Sequence, residues 1–197
     1  VRFIGNRSSG KMGNAIAEEL AEKGANVTLV MGPSSIKSNH PNVNQINVTT
    51  ADEMYEVVSQ HFSDSDISVF SAAVSDYKPK FVYNEKVKKL DDNWMVELEK
   101  NKDILMEMSL SKSENQFVVG FALETQNEQE NAIIKLKKKK LDLIILNSTK
   151  DSGATFGFDT NKITIIEKDL KVREFDLKNK SELAKDIVSA IIKKLNK

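Results

Sequence analysis

The residues best suited to chemistry crowd the start of the chain, where Gly5 to Lys11 spell G-x-x-x-x-G-K ahead of an amphipathic segment. Asn6, Ser8, Ser9 and Gly10 offer an amide, hydroxyls and a backbone that a charged group can approach closely. A helix that starts behind such a turn presents unpaired N–H groups and the positive end of its dipole, which together hold phosphate. A P-loop would place Ser or Thr next, to hold magnesium, and Met12 stands there instead. The apolar run before the turn is also only residues 1–4. The segment therefore reads as a glycine-rich phosphate turn of another kind, with a P-loop or a purely structural strand–helix turn as the alternatives.

Residues 71–79, Ser-Ala-Ala-Val-Ser-Asp-Tyr-Lys-Pro, end an apolar run in small side chains and then a carboxylate. Small residues such as Ala72 let a flat base or a sugar lie against the main chain. Asp76 can take a ribose hydroxyl or a magnesium ion, or serve only its turn. Glu85-Lys86-Val87-Lys88-Lys89 is a solvated loop on charge alone, or a lysine-bearing flap that closes over a polyphosphate. Phe121 lies in an apolar strand that ends in a carboxylate, Glu124, and by itself it suits a core as well as a stacked base. Lys135 and Lys139 fall at i and i+4 on one helix face, spaced for adjacent phosphates or simply solvated. Asn147 ends the next strand, where an amide can read a polar ligand.

The chain has no cysteine and two histidines, His40 and His61. Neither histidine lies beside a serine or carboxylate pattern that would use it, and both read as surface residues. Thiol chemistry, disulfides and zinc–histidine sites are excluded. A formal net charge of zero gives no general pull toward nucleic acid or anionic membrane. No apolar run approaches the roughly 18 residues of a membrane helix. No signal-peptide pattern opens the chain. These features fit a cytoplasmic protein.

Helical and extended patterns alternate along the 197 residues. Helical periodicity covers 11–23, 51–62, 102–110, 127–140 and 181–195, with Thr50 and Ser181 as expected caps. Extended runs cover 27–31, 43–48, 67–74, 94–98, 117–122 and 141–146, and 162–167 with 171–177 reads as a hairpin around Asp169. Residues 77–92 read as irregular. The pattern predicts one α/β domain over 1–197: a three-layer α/β/α, Rossmann-like fold whose mostly parallel sheet ends in an antiparallel hairpin. In such sheets ligands bind at the carboxyl ends of the strands, which gathers the loops after Ile4, Met31, Val74, Ala122 and Leu146 on one rim. An NAD(P)-type oxidoreductase would suit the alternation, but no G-x-G-x-x-G and no acidic residue after 27–31 supports it. A non-catalytic nucleotide-binding module is the other alternative.

Six segments, VRFIGNRSSGKMG, GANVTLVMGP, SAAVSDYKP, EKVKK, VGFALET and LDLIILN, occur in the order found in the phosphopantothenoylcysteine synthetase family, which the chain resembles along nearly its whole length. The resemblance implies a ligase of coenzyme A biosynthesis, the CoaB part of the pathway. Such an enzyme joins 4′-phosphopantothenate to L-cysteine at the expense of CTP, through an acyl-cytidylate. It implies magnesium, a homodimer, and in many bacteria a fused, FMN-dependent decarboxylase domain. Asn6 is then expected to hold the acyl-cytidylate and Arg2 to stand near it. Lys86 is expected on the flap, and Ala72, Asp76, Phe121, Lys135 and Lys139 around the nucleotide. Asp76 is expected to serve the metal, Ser8, Ser9 and Gly10 to face the phosphates, and Asn147 the substrate. Residues 101–104 align with another nucleotide loop, although Lys102 replaces its usual proline. Family members normally carry a strand and a Gly-Pro-Thr turn before the Val-Arg pair, and that strand is expected to be missing here.

Overall fold

The computed structural model describes residues 3–83, 85, 94–148 and 158–195. Arg2 and Lys86, both expected at the site, lie outside them. The elements in chain order are α1 (Lys11–Glu22), β1 (Val27–Met31), β2 (Val43–Asn47), α2 (Ala51–Phe62), β3 (Ile67–Phe70), β4 (Tyr77–Pro79), β5 (Leu98–Lys100), α3 (Ile104–Ser111), β6 (Phe117–Glu124), α4 (Glu128–Lys138), β7 (Leu143–Ser148), β8 (Thr160–Glu167), β9 (Val172–Asn179) and α5 (Lys180–Leu195).

The main sheet has the order β3-β6-β7-β8-β9. β3, β6 and β7 run parallel, and β8 and β9 add an antiparallel edge. β7 is apolar on both faces because both are covered, as a central strand between helix layers requires. Ile144 and Leu146 face one core, with Met54 and Phe62 of α2, Met108 of α3 and Leu136 of α4. Leu143 and Ile145 face the other, with Ile16 of α1 and Leu183, Ile187 and Ile191 of α5. This is the expected three-layer arrangement. β1 and β2 form a separate parallel pair, and among the described residues neither bonds to β3. β4 and β5 form a small antiparallel pair.

Several local expectations are corrected. The extended run at 67–74 is a strand only as far as Phe70. The stretch expected to be irregular contains β4, and the strand expected at 94–98 is regular only over Leu98–Lys100, where it pairs with β4. Cross-strand ion pairs of Lys78 with Glu99 (3.7 Å) and Lys80 with Glu97 (2.6 Å) hold the two together. Ser181 is not a cap, because α5 starts at Lys180 directly behind β9. The main-chain N–H of Asn179 instead donates to the Glu182 carboxylate at 3.3 Å. His40 is half-buried rather than a free surface residue: its Nδ1 accepts the Asn42 N–H at 3.1 Å and shapes the turn before β2. The Thr50 cap is present, with its hydroxyl accepting the Glu53 N–H at 3.1 Å while Glu53 accepts the Thr49 N–H at 2.7 Å.

Candidate active site at the carboxyl rim of the sheet

The glycine-rich turn before α1 is seated between two strand ends. Gly10, in the left-handed region at φ 76°, precedes α1 and has no side chain to cap it, while the Ser9 hydroxyl accepts the Lys11 N–H at 3.4 Å. A Cβ on Gly10 would stand 3.3 Å from Met31 Sδ at the end of β1. One on Gly13 would stand 2.9 Å from Ser71 Oγ, just past β3. Small residues therefore let the start of α1 lie close to both strand ends. The Ser34 hydroxyl donates to the Ser9 carbonyl at 2.8 Å and fixes the turn from the β1 side.

From the β3 side, the side-chain amide of Asn6 donates to the carbonyls of Ala73 (3.3 Å) and Val74 (3.2 Å). The glycine-rich turn and the small-residue segment holding Ala72 and Asp76 are thus joined directly. Asp76 is exposed at the rim. Its carbonyl accepts the Asn101 N–H at 2.9 Å, and the Asn101 side chain donates to the Ser75 carbonyl at 2.8 Å. The loop of residues 101–103 is therefore tied to the Asp76 loop. The Asn101 Oδ1 atom is buried and accepts no hydrogen bond among the described residues. Lys102, standing where the family usually has proline, holds its ammonium 3.9 Å from the centroid of the Tyr55 ring.

The two lysines on α4 and its cap are each paired with a carboxylate. Lys135 meets Glu124 at 2.6 Å, and Lys139 meets Asp103 at 2.8 Å. Asp103 also caps α3, accepting the Met106 N–H at 3.0 Å. Burial pushes its carboxyl up, but the hydrogen bonds from Lys139 and Met106 outweigh that and hold it below the ordinary carboxylate value. Phe121 packs into the core on the α1–α5 side of the sheet, while α4 packs on the opposite side. The ring and the two lysines thus flank different faces of the sheet. Asn147 reaches the rim, where its Oδ1 accepts the Asn161 amide at 3.1 Å.

Sequence reasoning missed Asn161, Asp159 and Lys180. Asn161 is only 5% exposed and polar at the head of an apolar alternation, a break that could have marked it. Asp159 forms an ion pair with Lys11, and the main-chain N–H of Lys180 donates to the Asp159 carbonyl at 3.0 Å. Nothing in local spacing signals that contact, which joins residues 148 positions apart.

Among the described residues no group of three or more His, Cys, Asp or Glu side chains gathers to hold a metal. A single rim carboxylate fits magnesium held largely by phosphates and water, and does not fit a structural metal cage. Also among the described residues, no helix is long and apolar enough to cross a membrane.

The profile of the DNA/pantothenate metabolism flavoprotein C-terminal domain matches residues 1–195. The Haemophilus influenzae protein called coenzyme A biosynthesis bifunctional protein CoaBC is 42% identical over 197 residues, covering 100% of this chain and 48% of that one. A cysteine/cysteine sulfinic acid decarboxylase from an unknown prokaryotic organism is 45% identical over 192 residues, covering 98% of this chain and 54% of that one. The chain thus spans about half the length of these relatives. The crystal structure of the C-terminal domain of a CoaBC protein superposes with a TM-score of 0.83 at 37% identity, over 100% of this chain and 88% of that one. Sequence and architecture agree along the whole length: the chain belongs to the family of DNA/pantothenate metabolism flavoprotein C-terminal domains.

Proposed function

We propose that the chain is a phosphopantothenate–cysteine ligase. The observation that carries this reading is the Asn6 amide, which ties the phosphate turn to the small-residue wall at Ala73 and Val74. A nucleotide lying on that wall brings its phosphates to Ser8, Ser9 and Gly10. The similarity along the full chain to a relative named for coenzyme A biosynthesis supports a role in that pathway.

The chemistry follows from the reactants. A carboxylate is a poor acyl donor, so the phosphopantothenate carboxylate attacks the α-phosphorus of CTP and pyrophosphate leaves. The cysteine amine then attacks the acyl carbon of the resulting acyl-cytidylate, and CMP carries away the bridging oxygen. Two anions must meet in the first step, which calls for cations and amide donors. In this reading Asn6 holds the acyl-cytidylate, Arg2 is a catalytic residue near it, and Lys86 offsets charge as the first step proceeds. Ala72, Phe121, Lys135 and Lys139 serve the nucleotide, and Asn147, braced by Asn161, contacts the acid substrate. Asp76 would hold magnesium, which when bound neutralises phosphate charge.

The reading includes a homodimer in the cytoplasm. The β4–β5 arm and its flanks expose Tyr77, Phe81, Val82 (85%), Tyr83, Trp94, Met95 (94%), Val96 and Leu98. Apolar surface of that extent fits an interface with a second copy, for which a standard contact needs about 800 Å² per partner. The reading also includes a fused or associated FMN-dependent decarboxylase, which the name 'bifunctional' and the roughly twofold greater length of the CoaBC relatives support. The test is product formation by the full-length protein from 4′-phosphopantothenate and cysteine with CTP or ATP. Phosphopantothenoylcysteine made preferentially with CTP supports the reading; none with either nucleotide refutes it.

A further inference from the structure

Two lysines that the proposed function leaves without a role, Lys11 and Lys180, are bound to adjacent residues, Asp159 and Phe158, at the rim beside the glycine-rich turn. Lys11 directly follows Gly10, and its Nζ pairs with Asp159, whose side chain is 76% exposed. Lys180 opens α5, and its Nζ donates to the Phe158 carbonyl at 2.5 Å. Asp159 interacts electrostatically with both lysines, so one exposed carboxylate faces two cations. Burial lowers the Lys180 pKa and the Lys11 charge lowers it further, and among the described residues Asp159 is the one group that opposes them. Among the described residues the two ammonium groups therefore share one carboxylate. The first turn of α1 carries no acidic residue, so it adds to the excess rather than cancelling it.

We propose that Lys11 and Lys180 form the seat for the pyrophosphate end of the nucleotide, with Asp159 as the counterion that a polyphosphate displaces. In the first step the α-phosphorus gains a bond to the substrate carboxylate and loses its bond to the bridging oxygen. That oxygen leaves with the electron pair on pyrophosphate, and the two lysines hold the departing charge. A nucleoside monophosphate reaches the Ser8–Gly10 turn but has nothing to place beyond it. An exposed ion pair contributes little, so releasing Asp159 to water costs little. A polyphosphate brings several charges in exchange for one. The inference rests on the ligase reading only for the identity of the nucleotide.

The experiment is calorimetric titration of the full-length protein with inorganic pyrophosphate and, separately, with CMP. Lys180→Met is expected to weaken pyrophosphate about tenfold while CMP affinity stays within about twofold, and Lys180→Arg is expected to restore pyrophosphate binding. Asp159→Asn, which leaves both lysines in place, is expected to tighten pyrophosphate severalfold. Unchanged pyrophosphate affinity in Lys180→Met would overturn the seat, as would equal weakening of CMP and pyrophosphate. Unchanged or weaker pyrophosphate binding in Asp159→Asn would overturn the role of Asp159. None of these readings needs turnover, so a failure of the ligase reading would show separately, as absence of product.

Discussion

The Asn6 side chain donates to two main-chain carbonyls, Ala73 at 3.3 Å and Val74 at 3.2 Å, across a sequence separation of 67 and 68 residues. Both acceptors are fixed, so the link depends on a donor at residue 6. Asn6→Asp keeps the shape and replaces the donor with a carboxylate that repels both oxygens. We expect pyrophosphate to appear while phosphopantothenoylcysteine does not, because the activated acyl group is no longer held for the amine. Equal loss of both products, measured in one reaction, would put Asn6 in the first step instead.

Gly120 of β6 is crowded by Leu105 of α3 and by Leu141 in the connection between α4 and β7. A Cβ there would meet Leu141 Cδ1 at 2.7 Å and Leu105 Cδ2 at 2.9 Å. Gly120→Ala is expected to destabilise the protein by about 1–3 kcal/mol through overpacking. Urea denaturation of both proteins reads this directly; an unchanged midpoint would mean that the leucines move aside freely.

Asp103 links two elements by charge. Its folded pKa lies below the ordinary carboxylate value, so its stabilising effect is present above the unfolded value and is lost as pH falls through the folded one. Acid unfolding of Asp103→Asn is expected to lack part of the wild-type decline below about pH 4. The asparagine still accepts from Met106, which separates the charge effect from the helix cap. Superimposable acid-unfolding curves would contradict the pairing with Lys139.

Asn161 is almost fully buried and braces Asn147 at 3.1 Å. Asn161→Ala is expected to cost about 1–3 kcal/mol by leaving a polar partner unmatched. If Asn147 serves the acid substrate, KM for phosphopantothenate rises while KM for CTP stays constant. An equal rise in both constants would remove Asn147 from substrate contact.

The exposed arm gives a prediction about assembly. Val82→Asp with Met95→Asp places charge on the two most exposed of its apolar side chains. Sedimentation is expected to show dimers for the wild type, as proposed, and monomers for the doubly substituted protein. A dimer that survives both substitutions would place the interface elsewhere.

Much of this fold is legible in the chain because burial imposes period and length on it. Leu143 to Leu146 read as a central strand since every position is buried, and Thr50 with Glu53 announces α2 because capping is local. β4 was illegible because its short run of Tyr77, Lys78 and Pro79 gains regularity only from its partner β5. In the site, the small residues around Gly10 and Ala72 were visible as composition. The partners of Lys135, Lys139 and Lys11 were not, since Glu124, Asp103 and Asp159 meet them only after the chain has folded.

The most direct measurement of the central claim follows the substrate carboxylate oxygen. The full-length protein is given CTP, cysteine and 4′-phosphopantothenate labelled with oxygen-18 in its carboxylate, and CMP and pyrophosphate are weighed by mass spectrometry. An acyl-cytidylate requires CMP to carry one labelled oxygen and pyrophosphate none. Product accompanied by unlabelled CMP would contradict attack at the α-phosphorus and, with it, the proposed mechanism.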